Sequence, residues 1–285
     1  MDITITYFTW NVGGIHPFED NVNVLKSALK FNSDVIIFGL EELEETPNMV
    51  DGYCQSCFEL WNNSFNNIIQ APYKMIGKDQ VGAIALFVFS KLSDIKLQNN
   101  ISLSLAGDGV AVNKGIICLK LLINNKTFSL FGAHFEAFDH RNEYRIKEWK
   151  QLTEMVGDSD YAIMGGDLNF RLTLPKAQVE EEINQKQFSH LLEFDSLRNS
   201  QKDNSELQIW KEGEILFPPT YKFDLGTDIY DSSPKQRIPS WCDRILFYSK
   251  ENGKIKIITY NSIQDPIAQC SDHRPVIGNF SISLL

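Results

Sequence analysis

Apolar and polar residues alternate from Ile3 to Trp10, the period-two pattern of a half-buried strand, and Asn11-Val12-Gly13-Gly14 stops it. Val22, Leu25, Ala28 and Leu29 then recur at helical spacing, and Asp34–Leu40 is a short apolar run of the kind a buried strand makes, ending in Glu41 and Glu42. A second helical stretch is predicted from about Asn48 to Ile69, after Pro47. Residues 73–136 read strand after strand: Tyr73–Lys78, Ala83–Ser90, Ile95–Leu105, Gly115–Ile123 and Thr127–Phe135, with Asn124-Asn125 as a hairpin turn. His140–Val156 is helical through Ile146, Trp149, Leu152 and Met155, and Tyr161–Met164 is a buried strand running into Gly165-Gly166-Asp167-Leu168-Asn169. Residues 175–208 read as helical and polar, and strands return at Arg244–Tyr248, Ile255–Tyr260 and Pro275–Ser283. The consecutive strands of 73–136 break any strict strand–helix alternation. Two packed sheets with helices outside therefore fit better than a doubly wound parallel sheet.

Composition narrows the class. The 285 residues are 43% hydrophobic and 22% charged, average for a globular chain and too apolar for disorder. With no Pro/Gly/Ser-rich linker or internal repeat, residues 1–285 are expected to form a single domain. Lys plus Arg is 27 against 37 Asp plus Glu, a formal charge of −10, which is the wrong sign for unspecific nucleic-acid binding or for adhesion to acidic lipid by net charge. A basic pocket on an acidic body is still compatible with that balance, because clefts focus potential locally. Five cysteines, no signal-peptide pattern and no run of 18 apolar residues lead to the expectation of a reducing, cytoplasmic setting without a membrane span.

The candidate chemistry sits at strand ends. Asn11, Glu42, His134, Asp167 with Asn169, Asp243, and Asp272 with His273 each border an apolar strand. Any one of them alone reads as a turn former, a helix cap or a satisfied structural histidine. Together they read as one catalytic rim, if strand ends meet. Carboxylate and amide oxygens suit Mg2+, whereas Cys54-x-x-Cys57, with no second pair nearby, makes a poor zinc or redox site. Mg2+ with an aspartate and two histidines suits phosphate-ester hydrolysis. A second set, Lys114 beside Gly115, Tyr221-Lys222, Lys235 and Arg237, would supply several phosphate donors. A plain nuclease has no need of so many; the bland alternative is solvated surface charge. No Gly-x-Ser-x-Gly elbow supports serine chemistry.

These segments resemble the inositol polyphosphate 5-phosphatases of the endonuclease/exonuclease/phosphatase superfamily. The matching stretches are Thr9–Val12, Phe38–Glu42, Asn113–Gly115, Ala133–Phe135 leading to Arg141–Tyr144, and Gly166–Arg171. They continue as Glu212-Gly213, Phe217–Lys222, Pro239–Leu246 and Ser271–Val276, in the family's order from residue 9 to 276. Gly-Asp-Leu-Asn is shared across the superfamily; Trp-Cys-Asp-Arg-Ile-Leu is far more specific. Gly13, Ala133 and Ser240 depart from common family residues without removing a reactive group.

The resemblance implies a DNase I-like four-layer α-β-β-α sandwich and Mg2+ near Asn11 and Glu42, with Asp272 close to the metal or water; Glu41 stands where members commonly carry glutamine. It implies that Asp167 activates water and Asn169 holds it or the phosphate. His273, oriented by Asp243, stabilises the scissile phosphate, and His134 contacts it or assists the leaving oxygen. Lys114, Tyr221, Lys222, Lys235 and Arg237 bind the other phosphates. The expected substrate is a phosphoinositide or a soluble inositol polyphosphate, hydrolysed by a monomer with no nucleic-acid partner. The sequence leaves no room for adaptor or lipid-binding domains, so either the substrate is soluble or apolar loop tips bring the chain to membranes as a peripheral protein. The rival readings are a nuclease of the same superfamily and a non-catalytic phosphoinositide-binding module.

Overall fold

The computed structural model describes residues 2–44, 55–105 and 113–285. Among these, one six-stranded sheet contains β1 (Asp2–Asn11), β2 (Val35–Glu41), β3 (Lys74–Val81), β4 (Ile84–Ser90), β11 (Ile255–Ser262) and β12 (Val276–Ser283), in the order β11-β12-β1-β2-β4-β3. The other contains β5 (Ile95–Ser104), β6 (Gly115–Ile123), β7 (Lys126–His134), β8 (Tyr161–Asp167), β9 (Lys211–Glu212) and β10 (Asp243–Ser249), in the order β5-β6-β7-β8-β10-β9. Helices α1 (Glu19–Leu29) and α2 (Gln55–Ile68) lie with the first sheet, and α3 (Asn142–Val156), α4 (Lys176–Asn184), α5 (Phe188–Leu191) and α6 (Ser196–Asp203) follow in chain order.

Side-chain alternation builds the layers. In β1, Ile3, Ile5 and Tyr7 enter the core between the sheets, while Phe8 and Trp10 enter the outer layer that also holds Val24, Leu25, Trp61 and Phe65 of α1 and α2. In β7, Phe128 and Leu130 face the central core, while Phe131 and Ala133 pack with Trp149 and Leu152 of α3. Two packed mixed sheets with helices outside are thus the four-layer sandwich expected from the sequence. Gly165 in β8 lets the sheets close at Tyr7: a Cβ there would meet the Tyr7 ring at 2.3 Å, and the Tyr7 hydroxyl donates across the gap to the Phe131 carbonyl at 2.5 Å.

Most predicted elements stand within a residue or two of their predicted ends. The Asn124-Asn125 turn joins β6 to β7 with both residues at positive φ, 47° and 62°, as a two-residue hairpin requires. For the predicted helix from Asn48, the described part begins at Gln55; Pro47, Asn48 and Cys54 lie outside the described residues. The polar stretch 175–208 is divided into three short helices and intervening 3-10 turns. Strand β9 has no sequence signature, since two residues cannot show a period.

Candidate active site

Register gathers the rim. Parallel pairing of β7 with β8 sets His134 opposite Asp167, and antiparallel pairing of β8 with β10 sets Asp243 opposite the same Asp167. Gly115 is opposite His134 on the other side, so Lys114 is delivered to the row as well. In the facing sheet, parallel pairing of β1 with β2 sets Asn11 opposite Glu41, with Glu42 next at φ 53°. Isolated bridges of Tyr221 to Ser240 and to His273 bring in the segment that carries Tyr221 and Lys222.

Asp167 is the hub. Its Oδ2 accepts from Asn11 Nδ2 at 3.0 Å and lies 3.2 Å from His134 Nε2 and 3.8 Å from His273 Nε2, while its Oδ1 accepts from the Asn169 amide at 3.0 Å. Burial alone would raise its pKa, but the cationic His273 and the hydrogen-bonded His134 hold it well below the usual carboxylate range. His273 turns Nδ1 toward Asp243, 2.9 Å from Oδ2, and Thr220 Oγ1 donates to that oxygen at 2.6 Å. Burial would lower the His273 pKa; Asp243 and Asp167 overcome it and push the ring up to about 10, so it is an imidazolium at neutral pH. Burial lifts Asp243 above its ordinary value, with His273 opposing.

His134 Nε2 also meets Lys114 Nζ in a short contact and lies 3.7 Å from Glu42 Oε1, while its buried Nδ1 has no hydrogen-bond partner among the described residues. Burial lowers the Lys114 pKa, with Asp167 and Glu42 pulling the other way. Tyr221 packs against His273 with the rings tilted, centroids 4.5 Å apart, and burial pushes its phenol up to about 12. Asn169, at φ 56°, donates from Nδ2 to the Phe135 carbonyl and accepts at Oδ1 from Arg171. Asp272 stands in neither carboxylate–histidine group; it is ion-paired with Lys222, and its Oδ1 faces Gly13. Lys235 is exposed, and Arg237 lies over the Phe138 ring at 5.8 Å. The structure therefore gathers Asn11, Glu42, Lys114, His134, Asp167, Asn169, Tyr221, Asp243 and His273 directly, with Lys222 and Asp272 as an adjacent pair.

Two groups of described residues have the spacing to hold a metal, Glu42–His134–Asp167 and Asp167–Asp243–His273. The first fits a hard divalent ion: a partly open Glu42 carboxylate faces Asp167, and Asp167 carries the Asn11 amide. In the second the imidazole is already bonded to Asp243, the arrangement of an oriented acid rather than a metal cage. Glu41, buried and turned to Thr9 Oγ1 at 3.1 Å, is outside both; burial and then the Asp243 and Asp167 charges raise its pKa well above the usual carboxylate range.

Sequence reasoning gave no role to Thr220 or Arg171. A threonine after two prolines carries no signal of its own, whereas an arginine two residues after Asn169, between Phe170 and Leu172, is a cation beside a candidate site residue.

This rim on a two-sheet sandwich defines a class: residues 8–279 match endonuclease/exonuclease/phosphatase family 2, and the chain belongs to that family. Among curated proteins it is 29% identical over 301 residues to the phosphatidylinositol 4,5-bisphosphate 5-phosphatase of Saccharomyces cerevisiae, covering 98% of this chain and 31% of that one. It is 27% identical over 313 residues to inositol polyphosphate 5-phosphatase K of Mus musculus, covering 99% and 66%. The chain thus spans about a third of the length of the first relative and about two thirds of the second.

Among solved structures, the inositol polyphosphate 5-phosphatase domain of a synaptojanin, in complex with inositol (1,4)-bisphosphate and a calcium ion, superposes with a TM-score of 0.82 at 25% identity, covering 99% of this chain and 84% of that one. A Cimex nitrophorin solved as a ferrous NO complex superposes with a TM-score of 0.79 at 23% identity, covering 99% of each chain. The sandwich is therefore shared by proteins with different names and ligands, and function has to be argued from the site.

Proposed function

We propose that this chain, as a single catalytic domain, hydrolyses the 5-phosphate of inositol polyphosphates, soluble or carried on phosphoinositides, with a divalent cation expected to be Mg2+. The observation that carries the reading is the convergence on Asp167 of an amide and two imidazoles, one of them oriented by Asp243, with Lys114 and Lys222 alongside. The family and its named relatives support the same reading.

Asp167, ionised down to acid pH, orients the attacking water and accepts its proton. A weak base is sufficient, because phosphoryl transfer through a loose transition state asks little of it. As water oxygen bonds to phosphorus, the bond from phosphorus to the inositol oxygen breaks. The His273 imidazolium, aimed by Asp243, donates to the phosphoryl oxygens as charge shifts onto them. His134 contacts the same phosphate or assists the leaving oxygen, and Asn169 holds the water or phosphate. Glu42 and Asn11 would hold the divalent ion with Asp272 nearby, and that ion would offset phosphoryl charge and stabilise the leaving oxygen. Lys114, Tyr221, Lys222, Lys235 and Arg237 would bind the remaining phosphates.

The test is phosphate release from a panel of inositol phosphates and short-chain phosphoinositides, with and without Mg2+. Turnover of 5-phosphorylated substrates alone is expected. Asp167→Ala and His273→Ala should each lower kcat by about 10²–10³-fold or more, and unaltered rates in both would overturn the assignment. Lys222→Ala should chiefly raise KM, by about 1.5–3 kcal/mol for a lost charge-assisted contact.

A further inference from the structure

We infer that Arg171 is a positioning residue that ties the carboxamide of Asn169 to the ring of Tyr221 and, through that ring, to His273; the inference rests on the phosphatase reading of the site. Arg171 is only 7% exposed. Two of its five N–H groups bond Asn169: Nε donates to the Asn169 carbonyl at 3.2 Å, and Nη2 donates to Asn169 Oδ1. Its guanidinium carbon lies over the Tyr221 ring, 4.3 Å from the centroid. Tyr221 in turn packs on the His273 ring at 4.5 Å. Asp139 Oδ1 stands 4.0 Å from Nε and balances part of the charge.

Three consequences follow from the chemistry of guanidinium. It has donors only, so the carboxamide of Asn169 has to present Oδ1 to Arg171 and Nδ2 to the Phe135 carbonyl, leaving one N–H and one lone pair of fixed direction for the reaction. Two donors held by one carboxamide and its carbonyl make Arg171 a support for Asn169. Its plane joins two elements that are far apart in sequence, the end of β8 and the segment carrying Tyr221, so that the water-side and substrate-side halves of the site share one wall. Lysine can supply the charge but neither the fork nor the stacking face.

The experiment uses the full chain with inositol 1,4,5-trisphosphate and Mg2+. Arg171→Lys is expected to lower kcat by at least about tenfold, the scale set by small misplacements of catalytic groups. Arg171→Ala is expected to fall further and to regain several-fold activity in millimolar guanidinium but not in ammonium, a rescue that a merely destabilised fold does not show. The Asn169 carboxamide protons, followed by NMR on protein labelled at asparagine, should exchange with solvent faster in Arg171→Lys than in wild type. Wild-type kcat and unchanged exchange in Arg171→Lys, or a folded Arg171→Ala that guanidinium does not rescue, would overturn the inference while leaving the phosphatase reading intact. If Arg171→Ala does not fold, Arg171→Lys decides alone. An inactive wild type would instead sink the phosphatase reading, and this inference with it.

Discussion

At the scale of the residue, neighbours in sequence have opposite fates. Glu41 and Glu42 are adjacent, yet Glu41 is fully buried and Glu42 reaches the rim with a partly open side chain. Because burial raises the Glu41 pKa and so favours its uncharged form, an amide should replace it without loss: Glu41→Gln is expected to leave kcat and Tm close to wild type, and a large fall in either would show that the acid ionises or donates a proton. Glu148 offers a cleaner titration away from the rim. Burial raises its pKa from 4.5 to about 7, with the Glu136 amide, which donates to it at 2.8 Å, pulling the other way. A carboxyl whose folded pKa lies above its unfolded one binds its proton more tightly when folded, so stability falls as pH rises from 4.5 to about 7. Glu148→Gln retains an acceptor for the Glu136 amide and should therefore be the more stable protein at pH 8, by up to about 3 kcal/mol, and equal to wild type near pH 4. Urea titrations at the two pH values check this, and a constant difference between them would refute it.

At the scale of the element, strand β10 has to be held in register for Asp243 to reach His273. The next residue, Arg244, is fully buried. It donates to both Asp195 oxygens at 3.1 Å, through Nε and Nη2 to Glu212 at 2.6 Å, and so pins β10 to β9 and to the N-terminus of α6. Tyr260 of β11 donates to the same Glu212. Arg244→Met would strand the buried Asp195 and the mostly covered Glu212, and removing one partner of such a buried network costs about 3–5 kcal/mol. Denaturant unfolding should show that loss; a change below about 1 kcal/mol would mean that the network is dispensable, on the scale of an exposed pair. The strands themselves were legible because β2, β4 and β8 are buried along their whole length and read as unbroken apolar runs. The short helices of 175–208 were legible only as a helical region, since a segment of four to nine residues carries too few turns to show its own boundaries.

At the scale of the whole molecule, a chain of charge −10 collects Lys114, Arg171, Lys222 and the His273 cation at one end of its sheets. Local geometry rather than net charge would then select a polyanionic substrate. A divalent ion bound at Glu42 would couple to global stability, because whatever binds only the folded state stabilises it: saturation at 100 times Kd is worth about 2.7 kcal/mol. Mg2+ should raise the Tm of the wild type, and Glu42→Ala should abolish the rise. An equal rise in that variant would place the ion elsewhere. Among the described residues no helix is long and apolar enough to cross a membrane. A contribution of lipid to substrate choice is therefore read directly from the phosphoinositide arm of the substrate panel.

The sequence by itself determined the strands, the two-sheet class and the polar residues at strand ends, because burial period and chain-stopping residues are local properties. It also supplied the family segments that named Asp167, Asp243 and His273. Tertiary structure alone decided that these meet: the register of β7, β8 and β10 sets His134 and Asp243 on either side of Asp167, and the closing sheet brings Asn11 to the same carboxylate. It likewise decided that Glu41 is a buried acid with a raised pKa, that Asp272 is committed to Lys222, and that Arg171 lies between Asn169 and Tyr221. Protonation, pairing and stacking depend on which groups are brought within a few ångströms from distant parts of the chain, and on how much water is left between them.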